Sequence, residues 1–446
     1  MSEQGLRRLV RRADHRHPRP TRSNRVAFLG PVPPTRTGIA TYDRAVLDGL
    51  RRIGLTDDLP VDVVWPVDQR HVGEIPTYGL AVYQMGNNVE FHLDVYRLAW
   101  HVPGLVVLHD LALDDFVRGL QAANDPLGLQ AAHEAAAARP HLRSVEARRN
   151  EPLRTPWAAA LARKARGIVV HADFGRRYLQ EFGCRTPIYV VPHPPVESPE
   201  ALAGSEARGG ALRARVQARG CRTLLVAPGD VNEAKRLGTL FDAAARLPDD
   251  VHVAVVGRKV PTWDVMDATG RHELGERLHI ELDVPDTDFL GWLHAADIVI
   301  DLRFPHRGEV SGSLARAMQV GRPAIVSATG TYLDAPEGTT LTIGAGPGDP
   351  AELAERIGTL DDDPALRASM GDAARRYMDD LRTTEATARG YAEAIRGTIA
   401  ALRDPTGPVM ARWASALADV GITQDEVDEG YGLRYARALE SFKGTS

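Results

Sequence analysis

The sequence predicts an α/β protein in which two doubly wound parallel sheets face one another across a cleft. Its 446 residues suffice for two or three domains of ~100–200 residues each. Two successive series of short, β-branched apolar runs alternate with helical patterns. Such runs are typical of parallel strands that are covered by helices on both faces.

The composition is that of an ordinary folded protein, with 43% hydrophobic residues, 25% charged residues and a formal net charge of −5. These values exclude wholesale disorder and a strongly basic protein that coats nucleic acid. Cys184 and Cys221 cannot build a disulfide scaffold or a four-cysteine zinc site, and they fit a reduced cytoplasm. No window approaches the ~20 apolar residues of a membrane span, and no signal peptide is recognisable. We therefore expect a cytoplasmic protein without nucleic-acid or integral membrane contacts.

The first predicted element is a basic flexible extension over residues 1–24. Residues 1–25 hold eight arginines against one glutamate and one aspartate. A solvated extension is the simpler interpretation, and loose contact with an anionic lipid or polymer is the alternative.

The first domain is predicted over residues 25–196. It begins with a buried strand and continues with a helix over residues 38–53, whose apolar residues share one face. Residues 120–150 are rich in alanine, arginine and histidine and are predicted to be helical. The strands are predicted at residues 25–29, 80–83, 104–108, 166–170 and 187–191.

A linker is predicted over residues 197–212, where Pro, Gly, Ser and Glu leave little periodic pattern. The second domain follows over residues 213–402 and is predicted to be helical from residue 351 onward, and residues 403–446 are predicted to form a helical tail. Its strands are predicted at residues 222–227, 251–256, 297–302, 323–327 and 339–343.

Ligands of open parallel sheets bind beyond the carboxyl ends of the strands, so the loops there are the places to search. Gly38 opens the first helix, where a missing side chain lets the backbone approach a phosphate or sugar oxygen. An ordinary strand-to-helix loop explains this glycine equally well. Asn87, Asn88, His109 and Asp110 end two strands and would face the cleft, although His109 could equally be a core histidine.

The strongest local signal is the segment 303–323. Ser311, Gly312 and Ser313 open a helix there, and the backbone N–H groups and hydroxyls of such a helix start can hold a diphosphate. Glu309 in the preceding loop can accept hydrogen bonds from sugar hydroxyls. A solvated glutamate in a turn is the alternative.

Basic residues follow the first strand of the second domain. Lys235 and Arg236 would place cations beside a diphosphate, although a lone basic pair is more often a solvated helix face. Their coincidence with the 303–323 loop at a neighbouring strand end favours the diphosphate site. His171 and His193 also end strands, and we expect structural roles for them.

Two further patterns imitate sites of other kinds. The glycine-rich run 344–348 lacks the acidic residue that ribose recognition requires, so it is predicted as a loop before a helix capped by Asp349. The acidic groups Asp286/Asp288 and 361–363 imitate a metal-binding D-x-D pattern. We interpret them as solvated acids and expect no metal site.

Together these residues resemble the retaining glycosyltransferases of family 4, which have the GT-B fold of two facing Rossmann-like domains with a cleft between them. The likeness covers roughly residues 25–400. It rests on four segments in the family's order: GPVPPTRTGIATY, YQMGNN followed by VVLHD, the pair at 235–236, and RGEVSGSLARAMQVGRPAIVS. The resemblance implies metal-independent transfer of a hexosyl group from a nucleotide-diphosphate sugar to a small-molecule or glycan acceptor, with retention and without a cofactor.

The resemblance also implies a role for each site residue. His109, Lys235 and Glu309 would be catalytic: His109 near the reacting centre, Lys235 at the leaving diphosphate and Glu309 at the transferred sugar. The acceptor side would comprise Asn87, Asn88, His109 and Asp110. The donor site would comprise Gly38, Lys235, Arg236, Glu309, Val310, Ser311, Gly312 and Ser313.

Two departures from the family pattern keep other functions open. The family usually has two glutamates, the second beside the ribose; here Arg316 stands in the second position and Glu309 lies one residue from the first. The family also usually has an arginine shortly before the lysine, where this chain has Asp-Val-Asn at 230–232. A non-catalytic nucleotide-sugar-binding homologue, or another GT-B enzyme such as a nucleotide-sugar epimerase, is therefore the alternative.

Overall fold

Two parallel six-stranded sheets, one in each half of the chain, organise the computed structural model of the protein. The structure describes residues 23–35, 37–67, 73–142, 144, 148–260, 264–265, 274–344, 346 and 348–403. The predicted extension over 1–24 lies outside these residues except for its last two, and the predicted tail over 403–446 lies outside them except for its first.

The first sheet has the strand order β2-β1-β3-β4-β5-β6, and all its strand pairs are parallel. The four central strands are fully buried, which is why they appear in the sequence as continuous apolar runs. The edge strand β2 was not predicted because its three residues, VDV, are only partly buried. The strands are β1 (Val26–Leu29), β2 (Val61–Val63), β3 (Leu80–Met85), β4 (Leu105–Leu108), β5 (Gly167–Val170) and β6 (Ile188–Val190).

Helices cover both faces of this sheet. Several begin where the sequence supplies a capping side chain: Thr37, Asn88 and Asp125 each accept a hydrogen bond from a backbone N–H of the first turn. The helices are α1 (Gly38–Arg52), α2 (Leu55–Asp58), α3 (Val89–His101), α4 (Asp114–Ala122), α5 (Pro126–Ala138), α6 (Ala159–Lys164) and α7 (Asp173–Glu181). Short 3₁₀ helices lie at Ile75–Thr77, Arg139–His141 and Glu151–Leu153.

The second sheet has the order β12-β11-β10-β7-β8-β9 and is also parallel throughout. Its unpredicted edge strand β9 alternates apolar and polar residues and is mostly half-buried. The strands are β7 (Thr223–Pro228), β8 (Val251–Gly257), β9 (Leu278–Leu282), β10 (Ile298–Asp301), β11 (Ala324–Ser327) and β12 (Thr340–Ile343). The prediction of an α/β fold with two such domains is confirmed.

The helices of the second half complete its layers. Asp349 caps α12 by accepting a hydrogen bond from Ala351 N at 2.8 Å, which confirms the predicted helix cap. The helices are α8 (Pro199–Gln217), α9 (Leu237–Ala244), α10 (Asp286–Ala295), α11 (Gly312–Gln319), α12 (Pro350–Asp362) and α13 (Pro364–Leu381). Short 3₁₀ helices lie at Glu233–Lys235, Gly275–Arg277 and Gly330–Asp334.

Helix α8 corrects the predicted linker over residues 197–212. Ser198 caps the helix and Pro199 opens it, as favoured at a helix start. The helix packs against α10, and its buried residues include Leu212 and Val216. The prediction of a patternless linker was wrong because the buried residues of this helix within 197–212 are Ser205, Gly209 and Leu212, which form no apolar stripe.

A last helix, α14 (Thr384–Arg403), corrects the predicted end of the second domain at residue 402. Its buried residues, including Tyr391 and Ile395, pack with Phe28 and Val46 of the first domain. The chain thus returns to its first half, and α14 ties the two sheets together. Within the described residues no helix is both long and apolar enough to cross a membrane.

The two halves also meet through the loop that follows β10. The carbonyl oxygen of Arg307 accepts hydrogen bonds from the backbone N–H groups of Leu111 and Ala112 at 3.0 and 3.1 Å. Asn150 of the first half donates to His306 Nε2 at 2.8 Å and accepts from His306 N at 3.2 Å. These contacts fix the β10 loop against the first domain.

Candidate functional site

The carboxyl ends of the strands of both sheets open onto one cavity of about 630 Å³ between the domains. We call it the interdomain cavity. It lies at the loops that follow the strands, which is the location predicted from the sequence. It is lined by Thr37, Gly38, Ile39, Tyr42, Asn87, Asn88, Phe91, His92, His109, Asp110, His171, His193, Asp230, Arg258, Glu309 and Val310.

The start of helix α1 forms one edge of the cavity. Gly38 is the first residue of this helix, and Thr37 caps it through a 3.0 Å hydrogen bond from Ala40 N to Thr37 Oγ1. A Cβ placed on Gly38 would meet no other atom within 4 Å, so the backbone there is open on that side. The helix start is therefore accessible to a ligand in the cavity.

His109 is positioned by a chain of hydrogen bonds that ends on helix α14. Its Nε2 lies 2.9 Å from Gln84 Oε1, and Gln84 Nε2 donates to the Tyr391 hydroxyl at 3.4 Å. Because Gln84 Oε1 can only accept, His109 Nε2 carries a proton and Nδ1 is left as an acceptor. Burial, together with the neighbouring histidines, holds the pKa of His109 well below its usual value, so the ring is neutral.

Two more histidines pack beside His109. The rings of His109, His171 and His193 surround Tyr42, with centroid distances of 4.7, 5.0 and 4.8 Å. Burial lowers the pKa of His171 to about 4 and that of His193 to about 3. Both were expected to be structural, and the structure adds that both also line the interdomain cavity.

Asp110 faces the cavity next to His109. Its Oδ2 accepts a hydrogen bond from Asn87 N at 3.0 Å. Burial raises the pKa of Asp110 to about 7, and the nearby charge of Glu309 adds to the shift. Asp110 therefore titrates close to neutral pH, unlike an ordinary surface aspartate.

The side chains of Asn87 and Asn88 are both engaged within the first domain. Asn87 Nδ2 donates to Asp114 Oδ1 at 2.9 Å, and its Oδ1 accepts from Phe116 N at 3.0 Å. Asn88 Oδ1 caps α3 by accepting from Glu90 N at 2.7 Å. Both predicted acceptor-side residues thus line the cavity while their amide groups shape the loop.

Glu309 reaches the cavity from the β10 loop. One carboxylate oxygen pairs with the Arg303 guanidinium, and the other accepts from Arg307 N at 2.7 Å. Burial alone would raise the pKa of Glu309, but the charge of Arg303 and hydrogen bonds from the backbone together hold this pKa below its usual value. Glu309 is thus an ionised hydrogen-bond acceptor on the second-domain side.

The predicted helix opening at Ser311–Ser313 is confirmed, but its hydroxyls lie behind the cavity lining. Ser311 caps α11, and its hydroxyl donates to Asp301 Oδ2 at 2.5 Å while accepting from Leu314 N at 3.2 Å. Of this predicted set Val310 lines the interdomain cavity, next to Glu309. Ser311, Gly312 and Ser313 are not among its lining residues.

Lys235 lies behind the cavity as well, in a buried ion pair. Its ammonium group donates to Asp301 Oδ1 at 2.5 Å and to the carbonyl of Pro228 at 2.8 Å. Burial lowers the pKa of Lys235, although the carboxylate of Asp301 opposes the shift. Arg236 follows in the left-handed backbone region at φ 53° and is not among the cavity-lining residues.

Sequence reasoning missed the ion pair of Asp230 and Arg258, both of which line the cavity. The Arg258 guanidinium donates from Nε and Nη2 to the two oxygens of Asp230 at 3.1 and 2.7 Å. The sequence did indicate Arg258 as a candidate, since this residue directly follows the predicted strand 251–256 and Gly257. A single arginine after a strand does not by itself indicate a binding site, because the loop that it faces cannot be identified from the sequence.

Arg316, which stands where a second glutamate was expected, is not among the residues that line the cavity. Its Nε donates to Glu197 at 2.5 Å, and its guanidinium lies 5.5 Å from the ring centroid of Phe289. No carboxylate on α11 therefore reaches the cavity from this position.

The acidic groups that imitate a metal site are held by arginines. Asp288 binds Arg208 through both oxygens, and the largely buried Asp361 binds Arg222. The interpretation as solvated acids holds for the exposed Asp286, Asp362 and Asp363, but it was wrong for Asp288 and Asp361, which are structural ion-pair partners. Among the described residues, no group of three or more His, Cys, Asp or Glu could hold a metal ion.

Residues 222–363 match the family model described as "Glycosyl transferases group 1". This segment makes up most of the second domain and about a third of the chain. The match spans β7 to the end of α12 and includes Asp230, Lys235, Arg258 and Glu309. No curated protein sequence matches the chain.

Solved structures share the whole two-domain architecture, which is the GT-B fold. Sucrose-phosphate synthase from Thermosynechococcus elongatus matches with a TM-score of 0.56 at 18% identity, over 84% of this chain and 99% of its own. The Anabaena protein HepE, solved with UDP and glucose, matches with a TM-score of 0.57 at 15% identity, over 84% and 99%. WaaG, a glycosyltransferase involved in lipopolysaccharide biosynthesis, matches with a TM-score of 0.51 at 16% identity, over 83% and 100%.

Proposed function

We propose that the protein is a retaining glycosyltransferase of family 4 that moves a hexosyl group from a nucleotide-diphosphate sugar to an acceptor. One observation supports this most strongly. The loops after β4 and β10 bring His109 and Asp110 of the first domain and Glu309 of the group 1 domain to one cavity. A site that two domains share can hold donor and acceptor together, which is the orientation that group transfer requires.

The proposed donor side combines an ionised carboxylate with a helix start. Glu309 would accept hydrogen bonds from hydroxyls of the transferred sugar. The phosphates would lie near the open backbone of Gly38 and beside Val310, where α11 begins. A helix N-terminus favours negative charge, and the buried Lys235 adds a positive charge behind it.

The proposed acceptor side combines the neutral ring of His109 with Asp110, whose pKa is about 7. His109 Nδ1 can accept a hydrogen bond from a hydroxyl, and Asp110 can orient a second hydroxyl. Fixing both substrates in one cavity supplies an orientation term to the rate.

The proposed reaction breaks the bond between the anomeric carbon and the phosphate oxygen. The electron pair leaves with the nucleoside diphosphate, and the acceptor oxygen bonds to the same face of the anomeric carbon. The acceptor proton passes to the departing phosphate oxygen, so that no protein base is needed. The protein would stabilise the negative charge that develops on the leaving group, and the proposal requires no cofactor or metal ion.

A ligand panel tests the donor class first. Thermal unfolding of the full chain with UDP, GDP, ADP or dTDP should show stabilisation by at least one nucleotide. A ligand at 100 times its Kd adds ~2.7 kcal/mol. The structure of HepE with UDP and glucose makes UDP the first nucleotide to try. Absence of a shift with every nucleotide would contradict the proposal.

Product analysis tests the reaction. The matching nucleotide-sugar should give a glycosylated acceptor whose anomeric configuration, read by NMR, equals that of the donor. An inverted product would contradict retention while leaving glycosyl transfer intact.

A second candidate, a nucleotide-sugar-binding homologue without transfer activity, is favoured by two ion pairs. Asp301 pairs with the buried Lys235, and Glu197 pairs with Arg316, and neither cation lines the cavity. Tight nucleotide binding without product across an acceptor panel would support this candidate. An altered donor formed without any acceptor would instead indicate an epimerase.

A further inference from the structure

The positive charges near the interdomain cavity are mostly committed to carboxylates of the protein. Lys235 is 7% exposed and donates to Asp301. Arg303 pairs with Glu309. A departing diphosphate nevertheless requires cations that can touch its oxygens.

Arg258 is the one lysine or arginine among the described residues that line the cavity. Its side chain is 72% exposed, and the side chain of its partner Asp230 is 47% exposed. Such an exposed ion pair contributes little free energy, about 0–1 kcal/mol. The guanidinium is therefore free to exchange one anion for another at small cost.

The backbone beneath this pair is fixed by contact between two loops. Gly229 and Gly257 have φ values of 109° and 155°. A Cβ on Gly257 would lie 1.9 Å from Gly229 O, so only glycine permits this approach. Val231 N also donates to the carbonyl of Arg258 at 2.9 Å. The β7 and β8 loops thus hold Arg258 and Asp230 in register at the cavity wall.

The same β7 loop joins this pair to the buried charges behind it. A Cβ on Gly229 would lie 2.5 Å from Ser313 Oγ and 3.0 Å from Lys235 Nζ. Gly229 therefore lies between Gly257, which precedes Arg258, and the side chains of Lys235 and Ser313. The start of α11 and the Lys235 ammonium group thus lie next to the loop that neighbours Arg258.

We propose that Arg258 binds phosphoryl oxygens in the interdomain cavity and that Asp230 occupies its guanidinium until a phosphate replaces the carboxylate. The planar guanidinium of Arg258 donates to both carboxylate oxygens of Asp230, and the same two donors can bind two oxygens of a phosphate. This inference rests on the proposed function, because it assigns the phosphate to the diphosphate of the sugar donor. A phosphorylated acceptor offers the same chemistry, and the experiment separates the two sources.

The test is calorimetric titration of the full chain with three probes. They are the nucleoside diphosphate that binds best in the panel, the corresponding monophosphate, and glucose 6-phosphate. Arg258→Ala is expected to weaken diphosphate binding about tenfold or more, equivalent to ~1.4 kcal/mol. It should weaken monophosphate binding less, since the terminal phosphate is the one in contact. If Arg258→Ala weakens only the binding of glucose 6-phosphate, Arg258 binds a phosphate, but its assignment to the diphosphate of the donor is overturned.

Two further variants sharpen the test. Asp230→Asn removes the competing carboxylate and should leave diphosphate binding equal or several-fold tighter. Lys259→Ala is the matched control, because it removes a neighbouring exposed charge that does not line the cavity, and it should change the affinity less than threefold. Circular dichroism and Tm would verify that each variant is folded.

Equal diphosphate affinity of Arg258→Ala and the unaltered chain would overturn the inference. That result differs from failure of the proposed function, in which the unaltered chain itself binds no nucleotide. Weaker diphosphate binding by Asp230→Asn would also overturn the exchange, because it would show that the carboxylate supports the site instead of competing for Arg258.

Discussion

The two walls of the interdomain cavity are built from different chemistry. The first-domain wall, which we define as Tyr42, His109, Asp110, His171 and His193, is dominated by aromatic rings and neutral imidazoles. The second-domain wall, defined as Asp230, Arg258, Glu309 and Val310, carries ion pairs.

The difference in solvation explains this division. Burial lowers the pKa values of the three first-domain histidines, so that this wall presents uncharged donors and acceptors suited to hydroxyl groups. On the second-domain wall Glu309 pairs with Arg303, as the cost of desolvation requires, and the exposed Arg258 pairs with Asp230. Negative charge that develops in the proposed reaction would thus meet a wall of charges already arranged in pairs.

The largest effect is expected from breaking the buried pair behind the second-domain wall. Asp301→Ala leaves the Lys235 ammonium group buried without a carboxylate and should lower the free energy of unfolding by about 3–5 kcal/mol. Urea denaturation measures this loss. The matched control is Asp230→Ala, which breaks an exposed pair and should cost no more than ~1 kcal/mol. Similar losses in both variants would show that burial does not set the strength of these pairs.

Glu309→Gln should give the next largest effect, now on turnover. The variant keeps the shape of the side chain but removes the charge that accepts sugar hydroxyls. We expect the rate of sugar transfer to fall about 10²–10³-fold, as for loss of one preorganised polar group in other active sites. Glu337→Gln, an exposed carboxylate of the same domain, is the control. A variant Glu309→Gln with full turnover would remove Glu309 from the proposed chemistry.

The pH dependence of stability sharpens the comparison at Asp110. Its folded pKa of about 7 lies above the unfolded value of ~3.9, so the folded chain binds the proton more tightly. The contribution of Asp110 to stability is therefore greatest below about pH 4 and is lost as the pH rises to 7.

Comparison with Asp110→Asn isolates this effect from that of other groups. The stability of the unaltered chain minus that of the variant should fall by at least ~1.4 kcal/mol between pH 4 and 7, which equals one pKa unit. Urea denaturation at several pH values measures the difference. A difference that is flat or rises with pH would show that Asp110 is an ordinary aspartate.

The smallest effect is expected from Tyr391→Phe on the first-domain side. Its hydroxyl holds Gln84 and lies 2.9 Å from the hydroxyl of Tyr42. Losing these hydrogen bonds should cost about 0.5–1.5 kcal/mol. If the chain of hydrogen bonds positions His109, then kcat should fall more than KM rises. A loss of stability with unchanged kinetics would restrict Tyr391 to a structural role.

The fold could be predicted largely because its central strands are buried on both faces. Their continuous apolar runs identify the strands and hence the loops that carry Gly38, His109 and Glu309. The edge strands β2 and β9 were not predicted, because they are partly exposed and contain polar residues that interrupt an apolar run. The packing of helix α14 on the first domain was not predicted, because its apolar stripe does not specify which sheet it covers.

The candidate site was less predictable because pairing between side chains depends on distant positions. Lys235 could be located beside a strand end, but its partner Asp301 lies 66 residues away and draws it behind the cavity. Arg258 gained significance only when Gly229 and Gly257 were seen to bring two loops into contact.

A structure of the protein with a bound nucleoside diphosphate tests the central claim most directly. We predict that the terminal phosphate lies in the interdomain cavity within hydrogen-bonding distance of Arg258, near Gly38 and the start of α11. A nucleotide bound outside this cavity, or one that leaves the pair of Arg258 and Asp230 intact, would contradict it.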